Sequence, residues 1–282
     1  MPRSLTPPPR PADWWRLAHD PAAIAKRAAV LARKHGLRRV RLGRAGDDPV
    51  DLYESRPREG KRPRVYLSAA IHGDEPAGAE GLLRWWEQAE AALFARFDFT
   101  IVPCLNPGGL RLNTRTDPQG RDLNRSLNRK GFPILAALKA KLNAGRPFAL
   151  SVLHHEDYDG CGMYVYELAP RGEPKWGHGL LRAARPHCPF DPRKTIEGRR
   201  ADRGVIAPAV DSKKFRAFFR KMGMAEAPWL FLTGRAARSY TVETPSEFDL
   251  SVRAEAHRAF LAAALKKLRP EPGVRGRSSR KG

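Results

Sequence analysis

The sequence has little cysteine and no long apolar run. Its three cysteines, Cys104, Cys161 and Cys188, are too few for a disulfide framework and lack the C-x-x-C spacing of a thiolate zinc site. No apolar stretch is long enough to cross a bilayer, so we expect no membrane partner. The start of the chain reads M-P-R-S-L-T-P-P-P-R and has no apolar segment after its basic residue. We therefore expect no secretory signal and a cytoplasmic protein.

Acidic residues are also scarce relative to basic ones. The chain has 52 Lys and Arg residues against 30 Asp and Glu, for a net charge of +22. Such a charge could attract nucleic acid, anionic lipid or acidic substrates. The basic residues are spread along the chain, however, and no nucleic-acid-binding motif accompanies them. We expect no specific nucleic-acid partner, and the sequence leaves the oligomeric state open.

The order of apolar segments predicts the fold. Short apolar runs at Val65–Ile71, Phe97–Leu105 and Phe148–Leu153 are typical of buried strands, and a helix is predicted from Pro76 to about Ala92. Further helices are predicted near 21–35, 134–143, 176–185, 211–223 and 250–268, and strands near 38–43, 50–55 and 239–243. This alternation predicts one α/β domain, residues 13–268, with a mixed, mostly parallel central sheet and helices on both faces.

Three segments are predicted to lie outside regular structure. Residues 1–12 are rich in proline and are predicted to be disordered, and residues 269–282 are predicted to form a flexible basic tail. The segment from Asn106 to about Asn128 is rich in Gly, Asn and Pro and is predicted to be a loop.

The first chemical motif is His72-Gly73-Asp74-Glu75, between a predicted strand and a predicted helix. A histidine and a carboxylate three residues apart can converge on one metal ion if the backbone turns sharply, which Gly73 permits. Imidazole and carboxylate are ligands that suit zinc. Alone, however, the pattern also fits a polar turn at the end of a strand.

A second motif, Ser151-Val152-Leu153-His154-His155-Glu156-Asp157, ends the third apolar strand. Ligands of open α/β sheets bind at the carboxyl ends of strands, so a histidine here could meet His72 and Glu75. Side chains alternate along a strand, so His154 and His155 cannot both face the same site. Either could be the third ligand, and both could instead simply face solvent.

Two further motifs could act on a substrate. The first is R-T-D-P-Q-G-R-D-L-N-R, which starts at Arg115 and ends with Asn124 and Arg125. An arginine and an asparagine can bind a carboxylate, and another arginine can polarise a carbonyl. The other is Thr241-Val242-Glu243-Thr244-Pro245, in which Glu243 at a strand end could accept a proton from water.

In this order, the four motifs resemble those of the zinc carboxypeptidase superfamily over roughly residues 65–250. The chain is most similar to the bacterial members grouped with succinylglutamate desuccinylase, aspartoacylase and murein peptide amidase. The resemblance implies that His72 and Glu75 are zinc ligands, that Arg115 polarises the scissile carbonyl and that Glu243 is the general base. It also implies that a pair of side chains binds a substrate carboxylate, namely Asn124 and Arg125.

The resemblance favours His155 as the third ligand, with His154 as the alternative. Relatives read L-H-E-D-aromatic and then Gly-aromatic-Tyr-x-Tyr-Glu-Leu, a spacing that the segments beginning at His155 and Gly162 follow. The tyrosine that caps the substrate in the digestive enzymes has no clear counterpart. Three tyrosines are candidates for this role: Tyr158, Tyr164 and Tyr240.

We therefore predict a zinc-dependent hydrolase that cleaves an amide bond next to a carboxylate-bearing residue. The favoured activity is that of a carboxypeptidase on short peptides, and the alternative is a deacylase of N-acyl amino acids. A third possibility, from a different class, is an inactive scaffold that binds anionic partners through its positive charge.

Overall fold

A computed structural model of the protein describes residues 17–59, 61–210 and 213–268. The expectations for residues 1–12 and for the tail 269–282 lie outside this part of the chain. Its centre is an eight-stranded sheet formed by β1 (Arg38–Ala45), β2 (Asp48–Glu54), β3 (Arg64–Ala69), β4 (Asp98–Val102), β5 (Leu150–Asp157), β6 (Tyr164–Leu168), β9 (Val205–Ile206) and β10 (Ser239–Pro245). Strands β7 (Thr195–Ile196) and β8 (Arg199–Arg200) form a separate hairpin.

The strand order across the sheet is β1-β2-β4-β3-β5-β10-β6-β9. The four central strands, β4, β3, β5 and β10, run parallel to one another. On one side β2 and β1 continue the sheet in antiparallel pairing, and on the other side β6 pairs antiparallel with β10. The predicted mixed sheet with a parallel centre is therefore confirmed.

Helices cover both faces of this sheet. They are α1 (Pro21–Lys34), α2 (Pro76–Gln88), α3 (Ala91–Arg96), α4 (Pro107–Leu112), α5 (Pro133–Asn143), α6 (Gly177–Ala184), α7 (Lys213–Met222), α8 (Glu226–Leu232) and α9 (Leu250–Lys267). Residues of α1, α2, α6 and α9 share one apolar core with the sheet, and residues of α5, α7 and α8 share a second core on the opposite face. Neighbouring residues of a central strand therefore point into different cores.

The predicted loop between Asn106 and Asn128 is wrong in part. It contains helix α4 and a single 3-10 turn, Leu123–Arg125. Despite two glycines, α4 forms because the Asn106 side chain accepts a hydrogen bond from the Gly109 N–H at 2.9 Å and Pro107 occupies the first helical turn. The sequence patterns also did not predict strand β6 or helix α8, and the helix predicted to reach Ala92 ends at Gln88.

Candidate active site

The predicted site residues lie at the carboxyl ends of the central parallel strands. His72 and Glu75 follow β3, His155 lies near the end of β5, and Glu243 lies near the end of β10. In the parallel pairing of β5 with β10, Glu243 is the direct partner of His155. Residues that are distant in sequence therefore meet at one edge of the sheet, where ligands of open α/β sheets bind.

His72, Glu75 and His155 form a buried cluster. His72 Nδ1 lies 2.5 Å from Glu75 Oε1, and His155 Nδ1 lies 2.8 Å from Glu75 Oε2. One potential ligand atom from each residue lies within 4.8 Å of the other two, and each residue is at most 4% exposed. Two imidazoles and one carboxylate are a donor set that fits zinc and leaves a coordination position open.

The charges in the cluster also fit a cation. Burial alone would raise the pKa of Glu75, but the two imidazoles outweigh it and hold that pKa well below its usual range. Burial lowers the pKa of His155, and Glu75 only partly opposes this change, whereas at His72 the effects of Glu75 and Asp122 outweigh burial and raise the pKa. A carboxylate and a neutral imidazole are the protonation states in which these groups bind a metal.

A close backbone contact shapes the turn between β3 and α2. A Cβ atom at Gly73 would lie 1.9 Å from the Gly109 carbonyl carbon, so only glycine fits there. The left-handed conformation in this turn is adopted instead by Ala70, with a φ of 48°. Gly73 is therefore needed for the close approach of α4, rather than for the sharp turn that its sequence position predicted.

His154 faces away from the cluster. Its Nδ1 lies 3.1 Å from Nδ1 of His257 in α9, on the opposite face of the sheet, and its ring is 1% exposed in total. The alternation of side chains along β5 separates the two histidines, as the sequence predicted. The alternative in which His154 joins His72 and Glu75 does not fit this geometry.

Arg115 lies beside the cluster and is held there by Asp122. Its Nε and Nη2 are each 3.1 Å from Asp122 Oδ2, and its Nη1 is 3.3 Å from His72 Nδ1. Asp122 Oδ1 lies 3.4 Å from His72 Nε2. Neither of these two atoms has a hydrogen-bond partner among the described residues, and Nδ1 is the His72 nitrogen that faces Glu75. Almost half of the Arg115 side chain remains exposed and can meet a substrate.

Asn124 and Arg125 lie in the 3-10 turn, which packs against the start of α8. Asn124 Oδ1 accepts a hydrogen bond from the Glu226 backbone N–H at 2.8 Å, so its Nδ2 is the atom left to donate elsewhere. Arg125 Nη1 donates to the Asn124 carbonyl oxygen at 2.9 Å, and the arginine is partly exposed. Both side chains therefore offer N–H donors, which a carboxylate requires.

Glu243 is partly buried in the wall of the site. Burial raises the pKa of Glu243 well above its usual range, and the nearby carboxylates of Glu75 and Asp157 raise it further. A bound divalent cation would oppose this effect, because it compensates the negative charge of the site. Glu243 is thus a carboxyl group whose proton affinity depends strongly on what the neighbouring cluster binds.

The three candidate tyrosines occupy different places. Tyr164 of β6 is the direct pairing partner of Glu243, and its hydroxyl donates to Asp157 Oδ2 at 2.9 Å. Tyr240 lies on the opposite face, where its hydroxyl donates to Glu167 at 2.9 Å. Tyr158 is 73% exposed just beyond β5. Tyr164 is the candidate that lies next to Glu243, and substrate capping remains a prediction for it.

Two acidic residues of the site were not predicted. Asp122 stands in the quoted motif, but its contacts with Arg115 and His72 require the loop to fold back over the turn after β3. Glu226 supports Asn124 from 102 residues away through its backbone, so no local pattern could have indicated it. The first could have been suspected from its spacing within the motif, whereas the second could not.

Comparison with known proteins agrees with this geometry. Residues 61–132 match the model of the succinylglutamate desuccinylase/aspartoacylase catalytic domain. A proposed metallopeptidase from Shewanella amazonensis SB2B is 25% identical and has a TM-score of 0.77, with 90% of this chain and 95% of that chain covered. A proposed metallopeptidase from Shewanella denitrificans OS217 is 25% identical, with a TM-score of 0.74 and coverage of 87% and 89%.

The same fold occurs in a metallo-carboxypeptidase from Burkholderia cenocepacia. It is 19% identical, with a TM-score of 0.61 and coverage of 87% of this chain and 68% of that chain. The fold and the matched segment support the resemblance to the zinc carboxypeptidase superfamily. The superfamily resemblance predicted from the sequence is therefore confirmed. No curated protein matches the sequence significantly.

Two further features concern the helices and the cysteines. None of the helices in the described part of the chain combines the length and apolar character that crossing a membrane requires. The three cysteines are unpaired. The family match and the cluster of His72, Glu75 and His155 together indicate a metal-dependent hydrolase of this superfamily.

Proposed function

We propose that the chain is a zinc-dependent carboxypeptidase that hydrolyses the last amide bond of short peptides. The observation that carries this proposal is that a candidate metal site and a candidate proton acceptor lie side by side at the carboxyl ends of the central strands. The cluster of His72, Glu75 and His155 could hold a cation, and Glu243 is the register partner of His155 on the next strand. A cation site beside a partly buried carboxyl group is an arrangement that can hydrolyse an amide through water made more acidic by the cation.

We assign the metal to His72, Glu75 and His155. Zinc bound by these residues would supply a positive charge that polarises a carbonyl group and makes water more acidic. The proximity of the three residues supports this assignment, because one potential ligand atom from each lies within 4.8 Å of the other two. Asp122 Oδ1 lies 3.4 Å from the other ring nitrogen of His72, where a small shift on metal binding would form an orienting hydrogen bond.

Glu243 is the proposed general base. It accepts a proton from the attacking water and then donates that proton to the nitrogen of the leaving amine. The raised pKa of Glu243 favours the second step, in which it donates the proton, and a bound cation would lower this pKa, as the first step requires. Arg115 is proposed to bind the carbonyl oxygen, whose negative charge grows as water attacks.

Asn124 and Arg125 are proposed to bind the carboxylate of the substrate. The Glu226 N–H holds the Asn124 amide in one orientation before the substrate binds, so little conformational entropy is lost in ordering this side chain on binding. The Arg125 guanidinium adds a positive charge with several N–H donors. These groups select amides with a carboxylate close to the scissile bond.

A second candidate function is hydrolysis of N-acyl amino acids. The observation that favours it is the match of residues 61–132 to the succinylglutamate desuccinylase/aspartoacylase catalytic domain. Such substrates also carry a carboxylate next to the amide, so Arg125 would serve either class equally well. The two candidates differ in the acyl side of the bond, which is a peptide in one case and a small acyl group in the other.

The deciding experiment is a substrate panel with the zinc-loaded protein. Short peptides, the same peptides with an amidated C-terminus, and N-acyl amino acids are compared at equal concentrations. Release of the last residue from free peptides, but not from their amides, is the expected result. Preferential cleavage of the N-acyl amino acids would favour the second candidate. Stoichiometric zinc without hydrolysis of any of these compounds would contradict both.

A further inference from the structure

A pair of buried histidines lies directly behind the candidate active site. His154 and His257 are at most 1% exposed, their Nδ1 atoms are 3.1 Å apart, and their rings meet edge to face with centroids 5.1 Å apart. His154 is the chain neighbour of His155 but points to the opposite face. The pair therefore reaches the backbone of β5 at the residue next to the proposed ligand.

The other nitrogen of His257 reaches the neighbouring strand. His257 Nε2 lies 3.0 Å from Thr244 Oγ1, and Thr244 is fully buried. Thr244 is the chain neighbour of Glu243, as His154 is of His155. One imidazole of α9 thus connects the two strands at the residues that adjoin the proposed ligand and the proposed base.

Helix α2 packs against the same pair through two glycines. A Cβ atom at Gly78 would lie 2.9 Å from the His154 Cβ, and one at Gly81 would lie 2.5 Å from the His257 Cβ. Helix α2 begins directly after Glu75, the second proposed ligand. The histidine pair is consequently a contact point shared by α2, β5, β10 and α9, of which β5 contains His155 and β10 contains Glu243.

The hydrogen bonds from His154 to His257 and from His257 to Thr244 have a preferred direction. Two neutral imidazoles share one proton between their Nδ1 atoms, and His154 Nε2 has no hydrogen-bond partner among the described residues. Buried N–H groups without a partner are rarer than buried acceptors without one. This favours His154 Nδ1–H as donor to His257 Nδ1, which leaves His257 Nε2–H as donor to Thr244 Oγ1.

We propose that His257 is a positioning residue that fixes the separation of His155 and Glu243 by bonding to their neighbours His154 and Thr244. This inference rests on the proposed function, in which His155 binds the metal and Glu243 accepts the proton. Without the His257 bonds, β5 and β10 would keep their backbone pairing, but the side chains at their ends would be less well fixed. Small displacements of reacting groups lower turnover strongly.

The test compares two substitutions in α9. His257→Phe removes both hydrogen bonds and keeps an aromatic ring, and Phe260→Leu, one turn further along in the same core, serves as the matched structural control. Zinc affinity is measured by chelator competition, and the visible spectrum of the cobalt-substituted protein reports the coordination geometry. We expect His257→Phe to weaken zinc binding by about tenfold and to alter the cobalt spectrum. Phe260→Leu should lower Tm but leave both unchanged.

Rescue and turnover give a second line of evidence. His257→Gln can accept from His154 and donate to Thr244, so it should restore most of the zinc affinity. With an accepted substrate, His257→Phe should lower kcat by about tenfold to a hundredfold and change KM little. Should His257→Phe fail to fold, Thr244→Val, which removes only one hydroxyl group, should still lower kcat in the same direction.

Two negative results have different meanings. If the wild-type protein binds no zinc, the proposed function itself fails and the role of His257 falls with it. If the wild type binds zinc and His257→Phe matches it in affinity and cobalt spectrum, or loses no more than Phe260→Leu, only the positioning role is refuted. Zinc binding is measured without substrate, so this distinction does not depend on finding the correct amide.

Discussion

Glu243 and His155 are direct partners in the parallel pairing of β10 with β5, and both side chains project to the same face of the sheet. The backbone pairing therefore places a proposed proton acceptor beside a proposed metal ligand. Because the proposed ligand and the proposed base are different side chains on neighbouring strands, metal binding and turnover can be tested by separate substitutions.

Replacing the proposed base should affect turnover alone. Glu243→Gln keeps the size of the side chain but cannot accept the proton, so kcat should fall by about 10² to 10⁴-fold. Zinc content, measured by elemental analysis, should remain at the wild-type level because Glu243 is not among the three clustered residues. Activity close to wild type in this variant would exclude the assignment of Glu243.

The two adjacent histidines should differ in their effect on metal content. His155→Ala removes a clustered donor, and we expect loss of stoichiometric zinc together with activity. His154→Ala removes a side chain that faces α9, so zinc should still bind. Its affinity should be lower if the position of His257 depends on the hydrogen bond with His154. A His154→Ala protein without zinc, beside a His155→Ala protein with its full complement, would reverse the ligand assignment.

Removal of the metal should be reversible. A chelator should abolish hydrolysis, and added zinc should restore it, because the protein supplies the ligands without a covalent change. Zinc should also raise Tm, since a ligand that binds only the folded state stabilises it by mass action. Calorimetry with and without zinc measures this difference, and an unchanged Tm at saturating zinc would argue against a buried site.

Arg125 should act on substrates with a free carboxylate. Loss of one charge-assisted hydrogen bond costs about 1.5–3 kcal/mol, so Arg125→Ala should raise KM by about tenfold to a hundredfold. The exposed Arg129 offers a matched control, and Arg129→Ala should leave KM within about twofold. Amidated substrates should not distinguish Arg125→Ala from wild type. Equal losses in the two variants would indicate a general effect of charge.

Glu226 should make stability depend on pH. Burial raises the pKa of Glu226 to about 7, although hydrogen bonds from the Tyr66 and Ser68 hydroxyls oppose the rise. The folded state therefore keeps a proton that the unfolded state has lost above its pKa of about 4.3. From this group, stability is greatest below pH 4, falls by about 1.4 kcal/mol per unit as pH rises toward 7, and is then constant.

Glu226→Gln removes this titration without removing the side-chain volume. Relative to wild type, the variant should gain stability between pH 5 and 7, by an amount on the order of 1–3 kcal/mol at neutral pH. Denaturant unfolding of both zinc-loaded proteins at several pH values measures the difference. A difference in the free energy of unfolding that stays constant over this range would show that Glu226 titrates normally.

Sequence reasoning reached the parallel sheet and the local pair His72 and Glu75, because both follow from short-range patterns. It could not decide between His154 and His155 from the pattern alone. Strand β5 is covered on both faces, so Val152 and Leu153 are both buried and apolar. Their polarity therefore does not show which side chains of the strand face the site. The preference for His155 came from the resemblance, and the opposite directions of the two side chains are visible only in the structure.

Contacts between distant segments were beyond the sequence for a different reason. The histidine pair joins residues 103 positions apart, and the support of Asn124 comes from a residue 102 positions away. Nothing in either local pattern depends on its partner. Strand β6 was not predicted for a related reason. Tyr164 was interpreted only as part of a motif, whereas its place in the sheet comes from pairing with the distant Glu243.

The contact at Gly73 has a consequence for how this site can vary. Its N–H donates to the Thr114 carbonyl oxygen at 3.0 Å, and its α-carbon rests against the backbone of Gly109 and Leu110. The turn that bears His72 and the loop that bears Arg115 are thereby joined with no room for even a methyl group between them. Substitution of Gly73 by any other amino acid would push the two segments apart, so this position keeps the segment that bears Arg115 against the turn that bears His72.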